Sequence, residues 1–200
     1  MRKINLIIAG IVICNLTFGQ IVNFQIGTSI SSLRDKVNNT CFCTFAKYDK
    51  DIVGYAVFAG VDYLDKKYFN LSTNIGVISK GGKENEQTQN GILTGNVIMN
   101  YFSVNTALDL KFPIKDKFIP YISFGPRFDY SLFDNNILSN FKSTSIGLIF
   151  GGGLKFDLNK YQLGLRYDYY QDFTKLVDTY GISRYQRAFD INMTLGYKLK

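Results

Sequence analysis

Six charged residues sit on the polar side of segments that alternate between apolar and polar side chains: Asp109, Arg127, Asp129, Arg166, Asp168 and Asp190. Charges gathered on one face of successive strands can line a polar conduit or a gated pore. They can also pair with one another and fill a narrow interior, because an unpaired charge held away from bulk water is costly. A salt-bridged plug is the expectation for a small closed wall, whose interior is barely wide enough for side chains. Catalysis is not expected. The familiar hydrolase and acyl-transfer arrangements use His as general base, and the chain contains no His. A Ser-Lys or carboxylate-only centre is chemically allowed, but no spacing signals one.

Two further features invite chemistry. Cys41 and Cys43 form a Cys-Phe-Cys motif in a predicted loop. A disulfide between them would close a small, strained ring and be labile. A metal or redox site would need more ligands, and the remaining cysteine, Cys14, lies near the N-terminus; no cofactor or metal is therefore expected. Gly151-Gly152-Gly153 falls within a predicted strand. It reads as close packing in a wall and not as a phosphate loop, which would open a helix.

The elements that must position these groups are β-strands. No segment shows a sustained 3.6-residue apolar stripe; the period is two. The last segment is the clearest, with Phe189, Ile191, Met193, Leu195, Tyr197 and Leu199 on one face and Asp190, Asn192, Thr194, Gly196 and Lys198 on the other. Seven more segments of this kind precede it, around Phe24–Ile30, Val53–Val61, Leu71–Val77, Phe102–Phe112, Ile122–Leu132, Ile146–Phe156 and Tyr161–Tyr169. Their connections alternate in length. Long stretches at about 32–51, 80–96, 133–143 and 173–186 alternate with short turns at Leu64–Lys67, Ile114–Lys117 and Asp157–Lys160. Pro120 can start a strand, whereas Pro126 should mark a bulge or a point of loosened pairing.

The content of the two faces decides what surrounds the wall. A soluble barrel should keep its large apolar residues inside. Here the polar face carries Gly, Ser, Asn and Thr with occasional charges, while the other face is nearly free of charge and rich in Phe and Tyr towards its ends. Lys or Arg on a lipid face near the midplane costs roughly 2–4 kcal/mol. With no Trp in the chain, Tyr and Phe must form both interfacial girdles. The expected fold is all-β: an eight-stranded antiparallel up-and-down transmembrane β-barrel in the outer membrane, with short periplasmic turns and longer external loops.

At the N-terminus, Arg2 and Lys3 precede an apolar run from Ile4 to about Cys14. That is the grammar of a signal peptide, too short for a spanning helix. Cleavage after Gly19 would give a signal over 1–19 and a barrel domain over 20–200. The formal charge of +7 is interleaved with acidic residues and forms no basic stripe, so nucleic acid is not an expected partner. Expected partners are outer-membrane lipid and lipopolysaccharide, with envelope or secretion proteins as further candidates, and the chain should act as a monomer.

Several landmarks carry a family resemblance: Phe24-Gln25-Ile26-Gly27 with Ser31-Ser32-Leu33, Ile75–Gly82, Pro120–Pro126, Gly147–Leu154, Leu165–Tyr169 and the closing Leu195-Gly196-Tyr197-Lys198. In their order the chain resembles the PorT-like outer-membrane β-barrel family over nearly all of its mature length. The end at Leu199-Lys200 departs from the terminal aromatic of many outer-membrane barrels. The resemblance implies a barrel of OmpA/OmpX-like architecture and, for the namesake, a part in protein secretion; it brings no catalytic residues. The expected function is a non-enzymatic barrel that presents surface loops, for partner binding, secretion support or envelope integrity. A small passive pore and a lipid-active enzyme are the alternatives.

Overall fold

The computed structural model describes residues 19–37, 50–88, 91–114, 117–132, 142–179 and 182–199. The predicted signal segment up to residue 18 and the Cys41/Cys43 pair lie outside them. The described chain forms β1 (Gly19–Val37), β2 (Ile52–Tyr63), β3 (Phe69–Thr88), β4 (Gly91–Lys111), β5 (Phe118–Ser131), β6 (Thr144–Leu158), β7 (Tyr161–Asp172), β8 (Val177–Thr179) and β9 (Ile182–Lys198). Each strand from β1 to β6 pairs antiparallel with the next, β7 pairs with β9, and β9 pairs back onto β1 from Ile21↔Lys198 to Val37↔Ile182. The ring is closed. β8 pairs only with the start of β9, beyond the point where the β7 ladder ends at Gln171↔Arg187. It continues the line of β7 after an interruption, so the wall has eight strand positions.

The two faces are separated sharply. Asn192 is 0% exposed and its neighbour Met193 is 70% exposed, as a period of two requires when one side meets a packed interior and the other meets lipid. Tyr68, Phe69, Phe112, Phe156, Tyr161 and Tyr197 ring the outside near the short turns. Phe118 and Phe156 meet in a tilted arrangement at 5.1 Å, and Tyr161 and Tyr197 at 5.5 Å. At the far end Tyr167 meets Phe189 at 5.9 Å. From Tyr197 to Phe189 the eight steps of β9, tilted by about 40°, rise roughly 20 Å, close to the ~25 Å apolar band of such barrels.

The short turns behave as expected. Leu158 pairs directly with Tyr161, and Asn159 between them takes φ 59°, a left-handed conformation that Asn tolerates well. Leu64 takes φ 75° at the first turn. The proline at 126 also behaves as expected. The β4–β5 ladder lapses between Asn105↔Arg127 and Leu108↔Phe124 without a change of register, while β5 stays paired with β6 through Pro126↔Leu148. Pairing loosens there and no bulge forms. A Cβ on Gly125 would lie 1.9 Å from the Thr106 carbonyl, so glycine is what lets the backbones approach beside the gap.

Two predicted loops are in fact largely strand. The stretch 80–96 continues β3 and β4 as one ladder to Thr88↔Gly91, and 173–186 contains β8 and the start of β9. β1 likewise runs to Val37, into the stretch read as loop from 32. The pattern hid them because the wall changes character there. Leu33, Ala56, Phe58, Ile78, Val97, Met99, Ile149, Leu176 and Ala188 all point inward and form one buried cluster. Towards this end of the wall apolar residues also turn to the interior, so the apolar-out, polar-in rule no longer marks a strand.

Leu165, 50% exposed in mid-β7 between Leu154 and Met193, should reveal the lipid contact. Leu165→Arg is expected to destabilise the barrel by about 2–4 kcal/mol relative to Leu165→Ala, read by urea unfolding in phospholipid vesicles. Equal stability of the two variants would mean that this face does not meet lipid.

Candidate functional site

The interior chemistry begins with the even or odd positions of each strand, which the closed ring forces inward. β4 contributes Asp109, β5 contributes Arg127 and Asp129, β7 contributes Arg166 and Asp168, and β9 contributes Asp190, all six buried. They divide into two clusters. In the outer one, Arg127 reaches Asp129 at 2.8 Å and also pairs with Asp172, while Lys80 reaches the same Asp129 at 2.5 Å. Arg127 lies 4.2 Å over the Tyr170 ring, and Lys80 is held between Tyr101 and Tyr170 at 5.3 and 5.4 Å. These ring faces add cation–π attraction to cations shielded from bulk solvent. Asp190 is met differently: the Tyr170 hydroxyl donates to it.

The inner cluster lies nearer the short turns. Arg166 donates through Nε to Asp168 at 2.5 Å and through Nη2 to Ser123 at 2.9 Å, and its Nη1 lies 3.8 Å from Asp109. Lys155 bridges Asp62 at 3.4 Å and Asp109 at 3.3 Å, with its ammonium 4.8 Å from the Tyr121 ring. An amide chain extends the network across the wall. Asn23 donates to Asp62 at 2.8 Å, Gln25 to Asn74 at 3.0 Å, and Asn74 to Asn105 at 3.0 Å. Both mouths are clamped as well, by Asp35 with Arg184 at 2.6 and 2.9 Å on one side and by Lys111–Asp65 and Lys198–Asp157 on the other.

Glycine makes room for this packing. A Cβ at Gly151 would lie 2.2 Å from Asp168 Oδ1, and one at Gly153 would lie 2.8 Å from the Tyr121 hydroxyl. The triple glycine therefore sits in the wall opposite the ion pairs, as close packing and not as a phosphate loop. A cavity of about 20 Å³ bordered by Asn23, Asp62, Lys155 and Arg166 has room for about one water. Among the described residues, no group of three or more His, Cys, Asp or Glu is placed to hold a metal ion.

All six expected residues thus reach the interior, but they do not form one site. Four partners complete them: Lys80, Asp62, Lys155 and Asp172. Asp62 and Lys155 already stood on the polar faces of their predicted strands, so the alternation could have added them. Lys80 could not be found that way, because its segment was read as loop, and Asp172 lies at a strand end. The tyrosines Tyr101, Tyr121 and Tyr170 are large residues on the inward face and carried no charge signal.

Among solved structures, the chain is similar to the outer-membrane protein OprG from Pseudomonas aeruginosa, with a TM-score of 0.53 and 13% identity over 90% of this chain and 97% of that one. It is also similar to Neisserial surface protein A, at 0.51 and 12% over 88% and 97%. The outer-membrane protein AlkL, determined in lipid bilayers, aligns at 0.50 and 14% over 89% and 90%. The chain has the fold of an eight-stranded outer-membrane β-barrel. No family model and no curated protein matches it. At these identities the likeness concerns fold, and one fold supports many kinds of work.

The barrel's outer cluster makes a ranked prediction. Asp129 accepts from two cations, whereas Lys80→Met leaves it with Arg127. Removing one partner of a buried pair costs about 3–5 kcal/mol. Asp129→Asn is therefore expected to lose about that much in urea unfolding, and Lys80→Met clearly less. The opposite ranking would mean that Lys80, not Asp129, is the hub.

Proposed function

We propose that the chain is a non-enzymatic barrel whose working surface is its extended rim outside the membrane, serving partner binding, support of protein secretion or envelope integrity. The observation that carries this reading is the division of the interior. Ion pairs fill its middle and an apolar cluster fills its outer part, while β3 and β4 continue as a ladder to Thr88↔Gly91. A filled interior leaves the rim as the accessible feature. The resemblance to PorT-like barrels favours the secretion-support form of this role. We also assign residues 1–19 as a cleaved signal and 20–200 as the mature barrel.

The packed interior speaks against a passive pore, and the absence of His from the sequence speaks against the commonest catalytic centres. Planar-bilayer recording tests the first point. The mature barrel is expected to give no stable conductance; steady openings abolished by Arg127→Ala or Arg166→Ala would overturn the plug. The rim is tested by replacing 85–94, which lies between the ladder partners Glu84 and Gly95, with a two-residue Asn-Gly turn. Heat-dependent gel mobility should be retained, while detergent resistance or secreted-protein levels fall in a strain that relies on this variant. Full function of the trimmed barrel would refute a role for that part of the rim.

A further inference from the structure

Directly above the lipid band, the outside of the wall carries three cations on one side. Along β9 the outward residues run Phe189, Arg187, Tyr185; along β1 they run Ile30, Ser32, Arg34, Lys36; along β7 they run Tyr169, Gln171, Phe173. The ladders set Arg187 between Ser32 and Gln171, and Arg34 opposite Tyr185. Arg187 Nε donates to Ser32 Oγ at 3.1 Å, which fixes the guanidinium across the β1–β9 seam. A groove of about 560 Å³ opens here, lined by Arg34, Lys36, Tyr185, Arg187, Gln171 and Phe173. Asp35 and Asp172 also border it, but each is already held, Asp35 by Arg184 and Asp172 by Arg127. The charge the groove presents is positive.

A second groove of about 150 Å³ lies just below, towards the membrane, lined by Ile30, Tyr169, Phe189 and again Arg187, together with Ser31, Ser32 and Asp51. The two share Arg187, so a cleft walled on one side by Ile30, Tyr169 and Phe189 at the edge of the lipid band leads into a cationic one. Their level is that of lipid headgroups. Arg187 stands two residues beyond Phe189, about 7 Å along the strand, and Arg34 four beyond Ile30, about 13 Å. After strand tilt both fall roughly within the polar layer that flanks the hydrocarbon core. Long cationic side chains at this depth extend towards phosphates while their stems cover apolar surface, and Arg guanidinium groups match phosphate oxygens in a fixed fork.

We propose that this double groove binds a phosphorylated glycolipid of the outer leaflet, with Arg187, Arg34 and Lys36 on its phosphates and an acyl chain along Ile30, Tyr169 and Phe189. Charge complementarity and continuity with the lipid band select this occupant. The site lies on the outer wall and is independent of what the rim binds.

The test uses the mature barrel folded in detergent micelles and titrated with bisphosphorylated lipid A, the same lipid stripped of phosphate, and inorganic phosphate. Each cation near a charged lipid surface is worth about a fivefold change in affinity. Arg34→Gln/Lys36→Gln/Arg187→Gln is therefore expected to bind lipid A more than tenfold more weakly, with heat-dependent gel mobility unchanged. Lys66→Gln/Lys67→Gln, which removes charge at a short turn, should bind as the wild type does. Stripped lipid should bind the wild type as weakly as lipid A binds the triple variant. Equal binding by the triple variant, an equal loss in the turn variant, undiminished binding of stripped lipid, or inorganic phosphate alone binding as tightly as lipid A would each overturn the proposal.

Discussion

A backbone N–H or C=O left unpaired in hydrocarbon costs several kcal/mol, so a strand can cross a bilayer only as part of a closed sheet. The β1–β9 seam closes this one, pairing residues from Ile21↔Lys198 to Val37↔Ile182. Everything else follows from that closure. With eight wall positions the interior is just wide enough to be filled by side chains. Each charge on the inward face is therefore driven against a partner on its own, a neighbouring or an opposite strand. Lys155 spans from β6 to carboxylates on β2 and β4, a reach that only a narrow lumen allows.

Closure also explains the change of character along the wall. Within the lipid band the outward face must be apolar and the inward face may be polar. Beyond the band the outward face meets water, and the interior can recover burial energy only by becoming apolar. The switch occurs between neighbouring inward positions. On β4, Ser103 and Asn105 give way to Tyr101, Met99 and Val97, and on β3, Asn74 gives way to Ile78. Lys80 sits beyond this boundary, and it is there that a charge needs both a carboxylate and two aromatic rings around its ammonium.

The sequence is legible wherever one physical rule applies to a whole strand. β7 and β9 alternate without exception inside the band, and their inward and outward residues could be assigned one by one. Towards that end of the wall the inward residues Ile78, Val97 and Met99 are apolar, and Gly81, Gly82 and Asn85 carry turn chemistry, so a rule calibrated on the lipid-facing wall reads 80–96 as loop. Partner choice was also hidden. Alternation tells which charges face inward, but which of them meet depends on stagger between strands. Asp168 and Asp190 are directly opposite in the ladder, yet Asp168 pairs with Arg166 on its own strand and Asp190 with the Tyr170 hydroxyl.

The interior ion pairs are poorly explained as a source of stability, since buried pairs often contribute no more than an apolar replacement of the same volume. Register offers a better account. Slipping a strand by one residue turns its inward set outward, and here that set includes Arg127, Lys155 and Arg166. Each cation delivered to the lipid face costs roughly 2–4 kcal/mol, besides leaving its carboxylate partner unpaired in the interior. A slipped ladder can re-form most of its backbone hydrogen bonds, so backbone pairing alone selects the native register only weakly. The charges reinforce the apolar outward pattern in selecting it, because the native alignment sets Arg127, Lys155 and Arg166 against carboxylates inside, and the weakly paired stretch of β5 at Pro126 lies beside Arg127.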